Sequence, residues 1–342
     1  MNVPISNIFK KSLTKDSVKN YATNKTNGLI RLDLVSNPIG PPIEVMDFIQ
    51  NISIKDISEY SNPQIDWELK TRLAQLNHVN QNQILITSGA DQAIEIVLTH
   101  VINKDDNVGI LIPSFPRFEI VANKLCGAKI SFFSDINSIP KSKIIILCTP
   151  NSPTTHEIPK DLLIRTIQNN QNKLFIIDAV FCDFGSWDPS ILLQEFGNLI
   201  ILKSFSKSHG IAGARVGFII ANEKIISLLA QGISPFLVSN ISKMITIKAI
   251  DNTNHIKKSI SFVNEEFNKI KHNLGKNAIR NSNVPFFMLK VKNSIDAKKK
   301  LLKKGISIIT EEHFRGLEKN TLRVKIGKPW ENDMFIKIIK TL

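Results

Sequence analysis

The feature that most limits how this chain folds is a repeated alternation of short apolar runs with helix-patterned segments. Ile84-Leu85-Ile86, Val108 to Ile112, Ile144 to Leu147, Leu174 to Ile177, Leu199 to Leu202 and Val216 to Ile220 each read as a buried strand. Between them lie helical stretches such as Asp66 to Leu76, with Leu69, Leu73 and Leu76 on one face, and Asp161 to Gln168. Uniformly apolar strands separated by helices predict an α/β architecture: a large, mostly parallel sheet covered by helices on both faces. Beyond about residue 222 the pattern changes. Long helices are expected from Glu223 to Lys271. After them come a strand Phe286 to Val291, a helix Ser294 to Lys304, strands Ile306 to Ile309 and Leu322 to Ile326, and a closing helix. This second pattern predicts a smaller α+β domain.

At 342 residues the chain is long enough for two domains. The expected division is an N-terminal arm over 1–35, a large domain over 36–250 and a small C-terminal domain over 251–342. Within the first segment, Arg31 to Val35 alternates like a strand, and Ser36-Asn37-Pro38-Ile39-Gly40-Pro41-Pro42 forces a loop before a helix from Glu44 to Asn51.

Hydrophobic residues make up 42% and charged residues 22%, an ordinary globular balance that needs no disulfide or metal. Cys126, Cys148 and Cys182 are odd in number and widely spaced, so neither a disulfide framework nor a metal site is expected. The N-terminus lacks an apolar signal-peptide core, and no run reaches the ~18–20 apolar residues of a membrane span. A cytoplasmic location and no membrane partner are the expectation. The net charge of +14 comes from scattered lysines, with short runs such as Lys298-Lys299-Lys300 on a helix-patterned stretch. A solvated helix face accounts for them, so no nucleic-acid partner is expected.

Ligands of parallel sheets collect beyond the carboxyl ends of the strands. Four loops there carry unusual polar residues. Ser88-Gly89-Ala90-Asp91 joins a strand to a helix, and a small-residue turn at a helix N-terminus suits a phosphate, though it equally suits a plain turn with Ser88 as cap. Pro150-Asn151-Ser152-Pro153 holds an amide in a proline-stiffened loop. Asp178 ends a buried strand, where a carboxylate is costly without a partner; a pyridinium N–H or a salt bridge would serve. Ser204, Ser206, Lys207, Gly213 and Arg215 share a small-residue loop after another strand. A desolvated lysine forms Schiff bases with carbonyls, and two hydroxyls with an arginine clamp a phosphate.

This ordered set resembles the fold-type-I aminotransferases of classes I and II, and within them the histidinol-phosphate aminotransferase and threonine-phosphate decarboxylase subgroup. The resemblance spans about residues 30 to 342. It implies pyridoxal 5'-phosphate carried by Lys207, with Asp178 at the pyridine nitrogen and Asn151 at the ring hydroxyl. The phosphate would fall to Ala90, Ser204, Ser206 and Arg215, at the turn that begins Ser88-Gly89 and ends Asp91. Tyr60 matches a tyrosine that reaches the neighbouring subunit's phosphate, which implies a homodimer. Asn37 and Gly40 match a substrate-side loop, and Arg323 a residue that grips the substrate carboxylate. Read without the resemblance, Arg323 is a surface residue on an edge strand.

Three positions depart from the family. Phe115 stands where an aromatic, commonly tyrosine, stacks on the ring. Phe181 replaces a tyrosine that donates to the ring hydroxyl, a loss that raises the pKa of the lysine–cofactor linkage. Thr310 stands where an arginine is often found. The implied reaction is amino transfer between an amino acid or amino-phosphate and a 2-oxo acid, foremost histidinol phosphate with 2-oxoglutarate. A threonine-phosphate decarboxylase-like lyase, a general or aromatic aminotransferase and an inactive ligand-binding homologue are the alternatives.

Overall fold

The computed structural model describes residues 29–60 and 62–342. Residues 1–28 of the expected arm over 1–35 lie outside the described residues. Seven strands form the large sheet: β2 (Ile84–Thr87), β3 (Asn107–Leu111), β4 (Lys129–Phe133), β5 (Ile144–Cys148), β6 (Leu174–Asp178), β7 (Leu199–Ser204) and β8 (Gly217–Ala221). Their order is β2-β8-β7-β6-β5-β3-β4. All neighbours pair in parallel except β8, which runs antiparallel to both β2 and β7.

Alternate residues of these strands feed two cores. Ile145, Leu147, Phe175, Ile177, Ile201 and Ile220 pack on one face, against Leu69 and Leu73 of helix Pro63–Asn77 and Leu163 and Ile167 of helix Lys160–Gln168. Ile144, Ile146, Ile176, Ile200, Leu202 and Ile219 pack on the other, against Ile94, Val97 and Leu98 of helix Gly89–Val101. The helices begin where local chemistry permits. Asn62 caps Pro63–Asn77 by accepting from the Gln64 N–H at 2.9 Å, with proline in the first turn.

The expected helical run from Glu223 to Lys271 is three helices, Glu223–Ala230, Asn240–Ile250 and Thr253–Leu274. Ser239 and Asn252 each accept a first-turn N–H, so each restarts the chain as a new helix. A third core surrounds the small sheet β12 (Ile309–Thr310), β13 (Thr321–Lys325), β10 (Phe286–Lys290) and β9 (Ala278–Ile279), in that order. The expected strand Ile306 to Ile309 is split. Its first half, β11 (Ile306–Ser307), pairs in parallel with β1 (Ile30–Arg31). Its second half joins β13.

The strand expected over Arg31 to Val35 is shortened to β1. Asp33 turns its carboxylate back on Arg31, at 2.7 Å and 2.9 Å, and on the Leu34 N–H at 3.0 Å. Leu32 is fully buried among Val324, Ile326 and Phe335 of this third core. Residues 30–32 are thus sewn into the C-terminal part of the molecule. Leu32→Ala should therefore cost about 2–5 kcal/mol in chemical denaturation, as for other core truncations. A change near zero would mean that this segment is a loose arm.

Candidate active site

Parallel β5, β6 and β7 end at one edge of the sheet. Because β8 runs the other way, its start lies at that edge, which brings Arg215 to the same place. A cavity of about 460 Å³ opens there. Of the expected residues, Ala90, Asp91, Phe115, Asp178, Phe181, Ser204, Ser206, Lys207, Arg215 and Arg323 line it. The volume lies within the usual range for small-molecule sites.

Lys207 donates to the Val35 carbonyl at 2.8 Å, with its Nζ 5.3 Å from the centre of the Phe181 ring. Burial draws its pKa down to about 8; Arg323 and Arg215 push the same way, and Asp178 and Asp91 oppose them. Burial pushes Asp178 up to about 6, against the Val180 N–H, which donates to its Oδ1 at 3.0 Å, and the nearby Lys207 charge. Cys148 sits directly beside it, with Sγ 4.0 Å from Oδ2. Asp178 thus reaches the cavity short of hydrogen-bond donors, and a cationic N–H in the cavity would lower its pKa.

The phosphate end is built from backbone shape as much as from side chains. Gly89 has φ +77°, and an added Cβ would stand 2.6 Å from Arg215 Nη2, so only glycine lets the guanidinium lie over this turn. Gly217 is equally confined: its Cβ would meet the Gly89 carbonyl carbon at 2.7 Å. Arg215 itself is left-handed, φ 55°. Ser204 Oγ donates to Ser206 Oγ at 3.0 Å. These groups fit a phosphate, and with Lys207 and Asp178 they fit pyridoxal phosphate.

Other expected residues sit elsewhere. Ser88 does not cap the helix through its side chain; its N–H donates to Gln92 Oε1 at 2.6 Å. Asn151 is flanked by the lining residues Pro150 and Ser152, but its Nδ2 donates to the Pro113 carbonyl at 2.7 Å and to Thr154 Oγ1 at 2.8 Å. Its Oδ1 is buried with no partner among the described residues. Asn37 and Gly40 do not line the cavity. Asn37 Nδ2 donates to the Ser208 carbonyl at 2.8 Å, and the Gly40 carbonyl lies so close to Gly210 that a Cβ there would come within 1.9 Å. This loop braces the lysine loop. Tyr60 is 82% exposed and stacks on Phe236 at 4.9 Å, away from the cavity.

Arg323 corrects the expectation of an exposed edge-strand residue. It is buried on β13, between β12 and β10, with its guanidinium 5.7 Å from Phe286 and 5.4 Å from Phe314. It donates to the Asp33 carbonyl, and at 3.2 Å to Ser152 Oγ. Thr310 is fully buried with its hydroxyl unpartnered among the described residues, and does not line the cavity. Sequence reasoning missed Arg31, Ser36, Cys148 and Ser152 as lining residues. Cys148, at a strand end, and Ser36 and Ser152, inside loops already singled out, carried a signal; Arg31 carried none.

In the unloaded protein, Lys207 should react with an amine-acylating reagent at half-maximal rate near pH 8, against about 10.4 for a solvated lysine. Asp178→Asn should lower that midpoint, because the carboxylate favours the charged amine. Peptide mapping of the labelled lysine reads both; an unmoved midpoint would contradict the pairing.

The family model for aminotransferases of class I and II matches residues 29–339. Among curated proteins, a histidinol-phosphate aminotransferase of Caldicellulosiruptor saccharolyticus is 32% identical over 336 residues, covering 91% of each chain. Among solved structures, the histidinol-phosphate aminotransferase of Clostridium acetobutylicum superposes with a TM-score of 0.82 at 22% identity, over 92% of this chain and 98% of that one. The Sinorhizobium meliloti enzyme of the same name, solved with pyridoxal-5'-phosphate, gives 0.80 at 18% identity, over 92% and 91%. With the lysine, carboxylate and phosphate cradle gathered at one cavity, the family match settles the assignment: this chain belongs to the class I and II aminotransferases, enzymes that move amino groups on pyridoxal phosphate.

Proposed function

We propose that this chain transfers the amino group of histidinol phosphate, or a closely similar amino-phosphate, to 2-oxoglutarate. The observation that carries the proposal is the set of arginines in the cavity lining: Arg323, Arg215 and Arg31, the last of them paired with Asp33. Substrates with an anionic end and an amino end match such a cavity. The names of the relatives support the same substrate class.

Bound pyridoxal phosphate supplies a carbonyl for the amino group and a ring that draws electrons from the substrate's α-carbon. The chain's residues do the rest. Lys207 holds the cofactor, and with a pKa near 8 it takes up and returns a proton near neutral pH. Asp178 keeps a proton at the ring nitrogen. Ser204, Ser206, Arg215 and the backbone at Gly89-Ala90-Asp91 bind the phosphate. Asn151 Oδ1 is a buried acceptor for the ring hydroxyl. Phe115 covers the ring, and Phe181 excludes water where a tyrosine would have donated. Arg323 grips the carboxylate of the amino acceptor. Asn37 and Gly40 serve by holding the lysine loop in place.

The proposal includes the domain division at about residues 36, 250 and 251, with the arm shortened by residues 30–32. It also includes a homodimer. Ile43, Ile54, Ile57, Tyr60 and Trp67 are all more than half exposed along one stretch of chain, an apolar surface suited to a second copy. No helix among the described residues is long and apolar enough to cross a membrane. Free thiols at Cys126, Cys148 and Cys182 favour the cytoplasm.

A half-reaction screen tests the substrate. Histidinol phosphate should convert the loaded enzyme and yield glutamate with 2-oxoglutarate, and phosphate-free histidinol should lose at least about tenfold in kcat/KM. Lys207→Ala should abolish transfer. Carbon dioxide from threonine phosphate, or equal turnover of aromatic amino acids, would overturn the assignment.

A further inference from the structure

The loop that carries Lys207 is fastened to the turn after Asp178 by residues that the proposed chemistry does not use. Ser208 Oγ donates to Asp183 Oδ2. Asp183 lies in the tight turn closed by the Cys182 N–H to Ala179 carbonyl bond at 3.0 Å and the Phe184 N–H to Phe181 carbonyl bond at 3.0 Å. That turn also bears Phe181 and follows directly from Asp178. His209 Nδ1 is 2.9 Å from the same Ser208 Oγ, its ring edge-on to Phe205 at 4.6 Å. The single Ser208 proton goes to the carboxylate, so His209 Nδ1–H is the donor to Ser208 Oγ. Burial holds the His209 pKa below its usual value, so the ring is neutral. Its Nε2 then keeps a buried lone pair with no partner among the described residues. A buried, half-satisfied histidine is an expensive filler; a phenyl ring would pack at less cost. The hydrogen bond on Nδ1 is what the histidine adds.

We propose that Ser208 and Asp183, bracketed by His209, are positioning residues that fix the Lys207 amine against Asp178. Asn37 and the Gly40 carbonyl brace the loop through its backbone at Ser208 and Gly210, and the Ser208–Asp183 bond adds a side-chain tie to the turn that follows the opposing carboxylate. The charges acting most strongly on Lys207 are Arg323, Asp178, Asp91 and Arg215; Asp183 is not among them. The groups facing His209 are Asp183, His255 and Lys203. A change in Lys207 on altering Ser208 or Asp183 is therefore transmitted through the loop rather than through charge.

This inference rests on Lys207 being the working amine, and its test has an arm that does not need turnover. Ser208→Thr and Ser208→Val have nearly equal volume and differ in the hydroxyl. In unloaded protein, Ser208→Val should raise the pH midpoint of Lys207 acylation by about half a unit or more, as the loosened amine regains water. In loaded enzyme it should lower kcat about tenfold with KM within about twofold, while Ser208→Thr stays near wild type. Asp183→Asn, which keeps the shape of the side chain, should follow Ser208→Val, and it decides the matter if the valine variant does not fold. Equal damage from threonine and valine, or a lysine midpoint unmoved in Ser208→Val and Asp183→Asn, would overturn the proposal. Wild-type protein without amino transfer would instead count against the proposed function and leave the acylation arm standing.

Discussion

Holding an amine and a carboxylate out of water at the same edge of a sheet is the constraint on which the rest of the molecule depends. Desolvation moves Lys207 down toward 8 and Asp178 up toward 6, so burial makes both groups less willing to carry charge. Their mutual attraction offsets part of that cost. The remainder is met by fixed neighbours: the Val180 N–H at Asp178, and the Val35 carbonyl and the Phe181 ring at Lys207. A cofactor with a ring nitrogen, a carbonyl and a phosphate offers a partner to Asp178, Lys207 and Arg215 in turn, which is why the family's chemistry suits this cavity.

The fold supplies that rigidity by topology. Parallel β5, β6 and β7 deliver Cys148, Asp178 and Ser204 to one edge, with Cys148 paired to Asp178 and Ser204 two residues past Leu202, the partner of Asp178. The reversed β8 delivers Arg215, and glycines at 89 and 217 let its guanidinium and the neighbouring turn approach. The C-terminal sheet reaches the site through Arg323 of β13, whose guanidinium lies near the Phe286 and Phe314 rings. Residues 30–35 stitch the two together. Leu32 belongs to the core around the C-terminal sheet, and the Val35 carbonyl accepts from Lys207.

Much of this was legible in the sequence because burial on both faces writes itself as unbroken apolar runs. β2, β5, β6, β7 and β8 were found that way. The edge strand β4, Lys129–Phe133, escaped because it has a strand neighbour on one side alone and none of its residues is fully buried. An apolar run also has no direction, so the antiparallel course of β8 was invisible. The helical run past Glu223 was overextended because its breaks depend on capping side chains, Ser239 and Asn252, that resemble any other polar residue in a sequence. Lys207, Asp178 and Arg215 were readable from their place after strands. Arg31 was not, since only tertiary packing brings it to the cavity wall. Asn37 and Gly40 were noticed as a loop, but what they touch is set by residues some 170 positions away.

The central claim, that Lys207 is the amine that carries pyridoxal phosphate, is tested most directly by incubating the protein with the cofactor, reducing with borohydride and mapping the modified peptide. A single stable adduct on Lys207 is the predicted result. An adduct on another lysine, or none at all, would contradict the account.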